Sequence, residues 1–391
     1  MKKQIQILKN VTFGLLCFSV LTTACKKKSD DPAPGEEVIT LKQSTLSGAN
    51  ETPAVTTSAT GTVEGSLNKT TNMLTYKISY SGLTPTSMHI HTGFAGTAGA
   101  VAIDLGAPTA SPAQATVMLT DAQETDLLAG KLYVNIHTLA NAGGELRAQI
   151  LTSDIVLYQN ALEGSNQVPA VTTTSKGTFY GTFNNSTKAM NYTIVYSGTA
   201  PNGAHIHNGF AGTTGAVEFV LTTPIIGTTS DVTAAFTAAQ QANLEAGKMY
   251  VNVHTTTNAN GEVRAQLANE NVWVYNNITL SGANEVPAVT TTSTGKAYVT
   301  YNASSSTLDY VLITNGMSGA NGAHLHSGAI GANGAVLYAL TTPASGAGDV
   351  TTAGTVTGVS AADAQTLKMG NTYINIHTAT NAGGELRGQV K

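Results

Sequence analysis

Three internal repeats constrain the fold of this chain more than any other feature of its 391 residues. Each copy has an opening block, then a glycine-rich His-x-His block, then a Tyr-x-Asn-x-His block that runs into Gly-Glu-x-Arg. The opening blocks start at Leu46, Leu162 and Leu280, the second blocks at His89, His205 and His324, and the third blocks at Tyr133, Tyr250 and Tyr373. Equivalent positions lie about 116 to 123 residues apart, which is too long for solenoid repeats. We therefore predict three tandem domains, covering residues 37–151, 152–269 and 270–391.

Composition and local patterns indicate an all-β fold for each copy. Charged residues make up only 11% of the chain and there are 40 glycines, whereas helical enzymes usually carry more Glu, Lys and Leu. Short β-type runs alternate with turn-forming clusters. One short helix per copy is predicted to begin after Thr120, Thr237 and Ser360 and to end near Gly130, Gly247 and Gly370. Six to eight short strands and one helix in about 115 residues predict a Greek-key β-sandwich or barrel.

Residues 1–24 resemble a lipoprotein signal peptide. Lysines precede a short apolar stretch, residues 11–21, which falls short of the roughly 20 residues that a membrane-spanning helix needs. The segment ends Leu-Thr-Thr-Ala-Cys, so Cys25 is the predicted lipidation site, with an ordinary secretory signal as the alternative. Residues 25–36 are predicted to be a polar tether. The sequence thus predicts an outer-membrane lipoprotein of the cell envelope, attached to the membrane through its lipid, and leaves surface exposure open.

Cysteine content and charge exclude several kinds of site. Cys17 and Cys25 are the only cysteines, so residues 26–391 contain no disulfide, thiolate nucleophile or cysteine-ligated zinc. The formal net charge is −4 and no basic stripe is present, so a nucleic-acid partner is not expected.

The three blocks together resemble the CHRD domain, a family that is named after chordin and is also found in bacterial secreted proteins. The resemblance covers nearly all of residues 37–391. It implies three tandem CHRD domains, but the role of chordin in holding growth factors does not follow from the fold.

All nine histidines fall in the repeats, three in each copy. In a strand, the two imidazoles of His-x-His share one face, and the residue between them points to the other. The predicted trios are His89, His91 and His137; His205, His207 and His254; and His324, His326 and His377. The same strand faces place a supporting polar patch beside them, formed by Asn135, Glu145 and Arg147; Asn252, Glu262 and Arg264; and Asn375, Glu385 and Arg387. We expect this patch on the outer face of the sheet, with Glu and Arg paired as a salt bridge.

The histidine pattern also resembles Cu,Zn superoxide dismutase, a Greek-key β-barrel. In this resemblance His89 and His91 match a copper-binding His-x-His pair and His137 matches a later copper ligand. Residues 141–147 match the stretch that brings an arginine near the metal. The bridging histidine, the zinc loop and the disulfide of that family have no counterparts here, so the resemblance does not extend to a complete dismutase site.

Three interpretations of the histidines stay open at this point: a structural hydrogen-bond network, a copper or zinc site, and exposed side chains without a shared role. The sequence favours a non-catalytic binding or scaffold module, whose ligand would be an extracellular protein or a glycan. The alternative is binding or sequestration of copper or zinc, or dismutase-like redox chemistry, at each trio. No catalytic residue is assigned, and no cofactor other than these two metals is a candidate.

Overall fold

The structure is a computed structural model that describes residues 35–391. The predictions for residues 1–34, including the signal peptide and the lipidation of Cys25, lie outside the described residues. Within residues 35–391, no helix is long and apolar enough to cross a membrane.

Each repeat folds as an antiparallel β domain with one short α-helix. The first domain contains β1 (Val38–Lys42), β2 (Ser44–Leu46), β3 (Thr60–Asn68), β4 (Met73–Ser81), β5 (Pro85–Thr92), β6 (Val101–Asp104), β7 (Ala113–Met118), α1 (Asp121–Leu128), β8 (Leu132–Thr138) and β9 (Leu146–Gln149). The strand β10 (Leu151–Thr152) follows and pairs with β1. The second domain contains β11 (Ile155–Glu163), β12 (Lys176–Asn184), β13 (Met190–Ser197), β14 (Pro201–Asn208), β15 (Val217–Leu221), β16 (Gly227–Val232), α2 (Ala238–Glu245), β17 (Met249–Thr255) and β18 (Val263–Gln266). The third domain contains β19 (Val272–Leu280), β20 (Thr294–Asn302), β21 (Thr307–Asn315), β22 (Ala320–Ser327), β23 (Val336–Leu340), β24 (Val350–Thr357), α3 (Ala361–Lys368), β25 (Thr372–Thr378) and β26 (Leu386–Val390).

The third domain shows the common topology most simply. Its two sheets have the orders β19-β20-β21-β24 and β23-β22-β25-β26. The strand β21 pairs directly with β24, although β22 and β23 come between them in the sequence and lie in the other sheet. A Greek-key fold produces this non-sequential strand order. In the second domain, one residue pair joins the two sheets, between Glu163 and Arg264. The predicted all-β architecture with three repeats is confirmed.

Apolar side chains from both sheets form one core in each domain. In the second domain, Ile206, Val251 and Val253 are fully buried. These residues alternate along their strands with the histidines, as the period of a β-strand requires. Separate cores of the same kind lie within the first and third domains.

The three helices begin where the sequence predicts. Thr120 and Thr237 cap α1 and α2, each in a capping box with a glutamine three residues later. Ser360 caps α3 through its side chain. Each helix stops just before a glycine in the left-handed region, where φ is +72° for Gly130 and +71° for Gly247.

The two junctions between consecutive domains are built alike. The ring of Tyr180 in the second domain lies so close to Gly96 in the first that a Cβ on the glycine would approach the ring to 2.4 Å. Tyr298 in the third domain lies in the same way on Gly212, where the corresponding distance is 2.6 Å. Only glycine leaves room for the aromatic ring at these positions.

At each junction, a side chain of one domain also caps the C-terminal end of a helix in the preceding domain. Asn302 donates a hydrogen bond of 2.8 Å to the carbonyl oxygen of Glu245, the last residue of α2. Asn184 occupies the equivalent place against Leu128 at the end of α1, at 3.5 Å. These contacts satisfy helix carbonyls that have no partner within their own helix.

Candidate metal centre

The histidines of each trio come from two neighbouring strands. In the second domain, His205 and His207 lie on β14, and His254 lies on the adjacent β17. The register pairs His205 with Asn252 and His207 with Tyr250. All three imidazoles therefore project from one face of the sheet, opposite the core. The first and third domains have the same register, and the structure brings every predicted trio together.

Backbone carbonyls determine the protonation of two histidines in each trio. In the second domain, Nδ1 of His207 lies 3.0 Å from the carbonyl oxygen of Gly215, and Nδ1 of His254 lies 3.0 Å from that of Ala259. A carbonyl only accepts hydrogen bonds, so each Nδ1 carries the proton and donates it. Each neutral ring is then left with its lone pair on Nε2. The equivalent bonds join His91 to Gly99, His137 to Ala142, His326 to Gly334 and His377 to Ala382.

The remaining imidazole nitrogens of each trio converge. One nitrogen atom from each of the three histidines lies within 4.8 Å of the other two. In the second domain, Nδ1 of His205 lies 2.9 Å from Nε2 of His254, and in the first domain the corresponding distance is 3.0 Å. Two nitrogens on one tetrahedral ion, each about 2.0–2.1 Å from the metal, would lie about 3.3 Å apart. The His89–His137 and His205–His254 spacings are close to the value for a single ion, and the ligand atoms of each trio all lie within 4.8 Å of one another.

The central histidine of each trio carries a buried nitrogen without a partner. Nε2 of His91, of His207 and of His326 is inaccessible to solvent and makes no hydrogen bond. Buried polar atoms in native proteins almost always have a partner, so a repeated exception calls for an explanation. Each of these atoms belongs to a trio whose ligand atoms lie within 4.8 Å of one another, so a ligand bound in the trio would satisfy it.

Burial also keeps these histidines neutral. Desolvation lowers the pKa of His91, His207 and His326 from the ordinary value of 6.5, and the charge of the nearby arginine adds to this effect. Burial likewise lowers the pKa of His137, His205 and His324. The neutral imidazole is the form that binds a metal ion, so protons do not compete for these sites at neutral pH.

A stack of three side chains supports the central histidine. In the second domain, the imidazole of His207 is parallel to the ring of Tyr250, with centroids 4.9 Å apart. The guanidinium carbon of Arg264 lies 3.5 Å from the centre of the same tyrosine ring, on which it makes a cation–π contact. The same stack is formed by His91, Tyr133 and Arg147, and by His326, Tyr373 and Arg387.

The arginine of the stack holds the glycine-rich loop, which we define as residues 93–99, 209–215 and 328–334. Arg264 is 2% exposed and donates to the carbonyl oxygens of Thr213 and Phe210, at 2.6 and 3.2 Å. This loop provides the carbonyl of Gly215 that orients His207. The arginine thus positions a metal ligand indirectly, through the loop.

The supporting polar patch lies on the sheet face opposite the core, but it is buried rather than exposed to solvent. In the first domain, Asn135 is 4% exposed, Glu145 8% and Arg147 2%. The opening segment (residues 46–57, 162–173 and 280–291) lies across this face, and Ser47 forms a β-bridge with Arg147. The period-two pattern of the strands predicted which sheet face carries these side chains. The segment that covers this face lies about 100 positions away in the sequence, so the pattern could not predict the burial. The equivalents Asn252, Glu262, Arg264, Asn375, Glu385 and Arg387 are buried as well.

The expected salt bridge between the glutamate and the arginine is also absent from the described residues. Instead, Glu145 accepts hydrogen bonds from Thr138 at 2.6 Å and from Thr57 of the opening segment at 2.7 Å. These bonds hold the pKa of the Glu145 carboxyl below its usual value. The glutamate is thus hydrogen-bonded to the opening segment, whereas Arg147 is hydrogen-bonded to the glycine-rich loop.

One acidic residue near the first trio was not singled out by its sequence position. Asp104 lies opposite His89 in the strand register, and its Oδ1 lies 3.6 Å from Nε2 of His89. A carboxylate beside a ligating histidine helps to orient its ring. Val220 and Ala339 occupy the position in the other domains. The only signal for it would have been the strand register, which the sequence does not specify.

Comparison with known families agrees with the architecture. Residues 42–150, 158–267 and 277–390 each match the CHRD domain. These matches cover most of the chain, which belongs to the CHRD domain family. No curated protein and no solved structure shows significant similarity to it. CHRD domains in tandem suggest a binding or scaffold module.

Proposed function

We propose that this protein is a non-catalytic metal-binding module in which each CHRD domain binds one copper ion through its histidine trio. The observation that carries the proposal is the buried, unpartnered Nε2 of His91, His207 and His326, each in a trio whose ligand atoms lie within 4.8 Å of one another. Among residues 35–391, the trios are the only groups of three or more His, Cys, Asp or Glu side chains with ligand atoms close enough to share an ion.

A purely structural hydrogen-bond network explains the trio less well. Such a network would pair both nitrogens of the central imidazole. Only its Nδ1 has a partner, and its Nε2 has none in any of the three domains. A donor or acceptor buried without a partner costs about 1–3 kcal/mol. A bound ion would remove that cost three times over, and it would use the neutral tautomers that the backbone carbonyls already impose.

The chemistry of the ligands supports copper ahead of zinc. Three neutral imidazoles suit both metals, but divalent copper binds a given nitrogen site more tightly than zinc does. Three protein ligands leave at least one position open on the ion. We assign binding or sequestration, and no reaction, to this open position.

The metal content of the full chain tests the proposal. After exposure to both copper and zinc and removal of excess metal, we expect about three equivalents of copper per chain. The variant His89→Ala, His91→Ala, His137→Ala should retain about two equivalents, because the second and third trios are unchanged. Elemental analysis gives the count, and calorimetry should show that copper raises the unfolding temperature of the wild type.

A matched control separates metal binding from a structural role. Leu139 is 92% exposed beside the first trio, so Leu139→Ala should leave the copper content at the wild-type value. If the imidazoles have only a structural role, the triple variant will lose stability equally with and without copper. Sub-stoichiometric copper that the triple substitution does not change would refute the proposal.

We further propose that a lipid on Cys25 anchors the module in the cell envelope. In a Gram-negative host, the wild type should fractionate with membranes, and Cys25→Ala should move it to the soluble fraction, because lipidation supplies the membrane attachment. Cys17→Ala is the matched control, since this cysteine lies inside the apolar stretch and should not affect fractionation. Membrane retention of the Cys25→Ala variant would exclude the anchor.

A further inference from the structure

The two domain junctions define a repeated docking site. We use the term socket for the surface that the glycine-rich loop and the opening segment of one domain present to the next. In the first domain, Gly96 receives the ring of Tyr180, and the carbonyl of Ala49 accepts a hydrogen bond of 3.5 Å from Gln159. The contact thus consists of one aromatic ring placed on a glycine and one carboxamide bonded to the opening segment.

The second socket is occupied in the same way. Tyr298 of the third domain lies on Gly212, and Asn277 donates to the carbonyl oxygen of Ser165 in the opening segment. Ala211, beside the glycine, is 1% exposed, and together with Tyr298 and Val311 it forms a small apolar core of its own.

Within residues 35–391, no side chain fills the socket of the third domain, which we call the open socket. A Cβ on Gly331, the counterpart of Gly96 and Gly212, would have no atom within 4 Å. Its neighbour Ile330 is 67% exposed, whereas Ala211 at the same position is 1% exposed. A cavity of about 520 Å³ lies there, and its lining includes Ala283, Ile330, Gly331 and Arg387. Gly331 and Ala283 are the counterparts of residues that contact the following domain at both internal junctions.

A second copy of this chain does not offer the matching surface. The first domain carries Glu64 where the other two carry Tyr180 and Tyr298, and Lys77 where the third carries Val311. Glu64 and Lys77 form an exposed salt bridge of 2.6 Å. Docking this face would bury a charged pair, which is costly. The face of the first domain therefore differs from the two faces that fill the internal sockets, and it does not fit the third socket.

We propose that the open socket of the third domain binds another protein through a β-sheet face that presents a tyrosine flanked by an asparagine or glutamine. The chemistry of the occupant follows from the two occupied sockets, which receive a tyrosine and a carboxamide from a sheet. The ligand of this surface is thus a protein, and the inference does not depend on the proposed metal binding.

A gain-of-function variant of the chain itself provides the probe. Gln43 already offers the carboxamide at the position of Gln159 and Asn277, so Glu64→Tyr with Lys77→Val should complete the matching face. In a Cys25→Ala background, this variant should associate head to tail at about 100 µM, with at least a roughly twofold rise in mass by sedimentation velocity. The parent chain should remain monomeric.

The controls make each outcome decisive. Adding Ile330→Asp to the gain-of-function variant should abolish association, because it places a charge in the socket. The single variant Glu64→Tyr, which changes one partly exposed residue, should associate more weakly and provides a second measurement if the double variant is unstable. Variants that fold and remain monomeric would overturn the proposal. Self-association of the parent chain that Ile330→Asp abolishes would also overturn it, since the occupant would then be a second copy.

Discussion

Replacing Arg387 by methionine should lower the free energy of unfolding of the third domain by about 3 kcal/mol. Arg387 is 2% exposed, and its guanidinium carbon lies 3.5 Å from the centre of the Tyr373 ring. It donates to the carbonyl oxygens of Ala329 and Ala332, at 3.4 and 2.7 Å, and to the side chain of Asn333 at 3.0 Å. Methionine fills part of the volume but leaves these three acceptors without their donor.

The only tryptophan of the chain makes this effect measurable in one domain. Trp273 lies on β19 of the third domain, so its fluorescence during denaturant unfolding reports on that domain. Arg387→Lys is the matched control: it keeps the charge but loses the forked geometry, and it should show most of the same loss. Because the loop also orients His326 through Gly334, the methionine variant should bind less copper at the third trio. An unchanged Trp273 transition would contradict this account of the arginine.

Glu285→Gln should stabilise the third domain above pH 7 and leave its stability unchanged near pH 4.5. Glu285 is buried, and its Oε1 and the Oδ1 of Asn375 are neighbouring acceptors without partners. Asn375 cannot reverse its amide without losing the bond that Nδ2 donates to Gly383 at 3.2 Å. In the second domain Gln167 occupies the place of the glutamate and donates from Nε2 to the Oδ1 of the asparagine, at 2.7 Å. Glutamine therefore supplies the donor that a protonated Glu285 would supply.

The pH dependence follows from the pKa of Glu285, which burial raises from 4.5 to about 7. Between these pH values the folded protein retains a proton that the unfolded chain has released, so the folded state loses stability as the pH rises. Glutamine does not titrate, and the advantage of the variant should grow over this range to about 3 kcal/mol. Unfolding followed by Trp273 fluorescence from about pH 4.5 to 8 measures the difference.

The second domain supplies the reverse experiment. Gln167→Glu should introduce the same pH dependence there and destabilise that domain at high pH, which calorimetry of the full chain can detect. A difference between wild type and Glu285→Gln that is constant with pH would show that Glu285 is already ionised in the folded protein.

The histidine trios could be predicted from the sequence because they depend on local geometry. The alternation of a β-strand places His205 and His207 on the face opposite Ile206 wherever the strand lies. The repeated Tyr-x-Asn-x-His block places the third histidine on the polar face of a second strand. The helix caps at Thr120 and Thr237 were predictable for the same reason, since a capping box spans only four residues.

The partners of the polar patch could not be predicted because they come from distant parts of the chain. Glu145 and Arg147 share a strand face, so pairing them with each other was the simplest expectation. The fold instead places Thr57 beside the glutamate and the carbonyls of Thr97 and Phe94 beside the arginine. These contacts span about 50 to 90 residues.

By itself, the sequence determined that this protein consists of three all-β domains with a histidine trio on one strand face of each. Repetition and strand periodicity suffice for that, because both are properties of short segments. Only the tertiary structure decided that the imidazole nitrogens converge, with their tautomers imposed by loop carbonyls. It alone also showed that Tyr180 and Tyr298 fill two sockets and that nothing in residues 35–391 fills the third. The trios join strands about 50 residues apart and the filled sockets join segments about 85 residues apart, and no local pattern in the chain signals such packing.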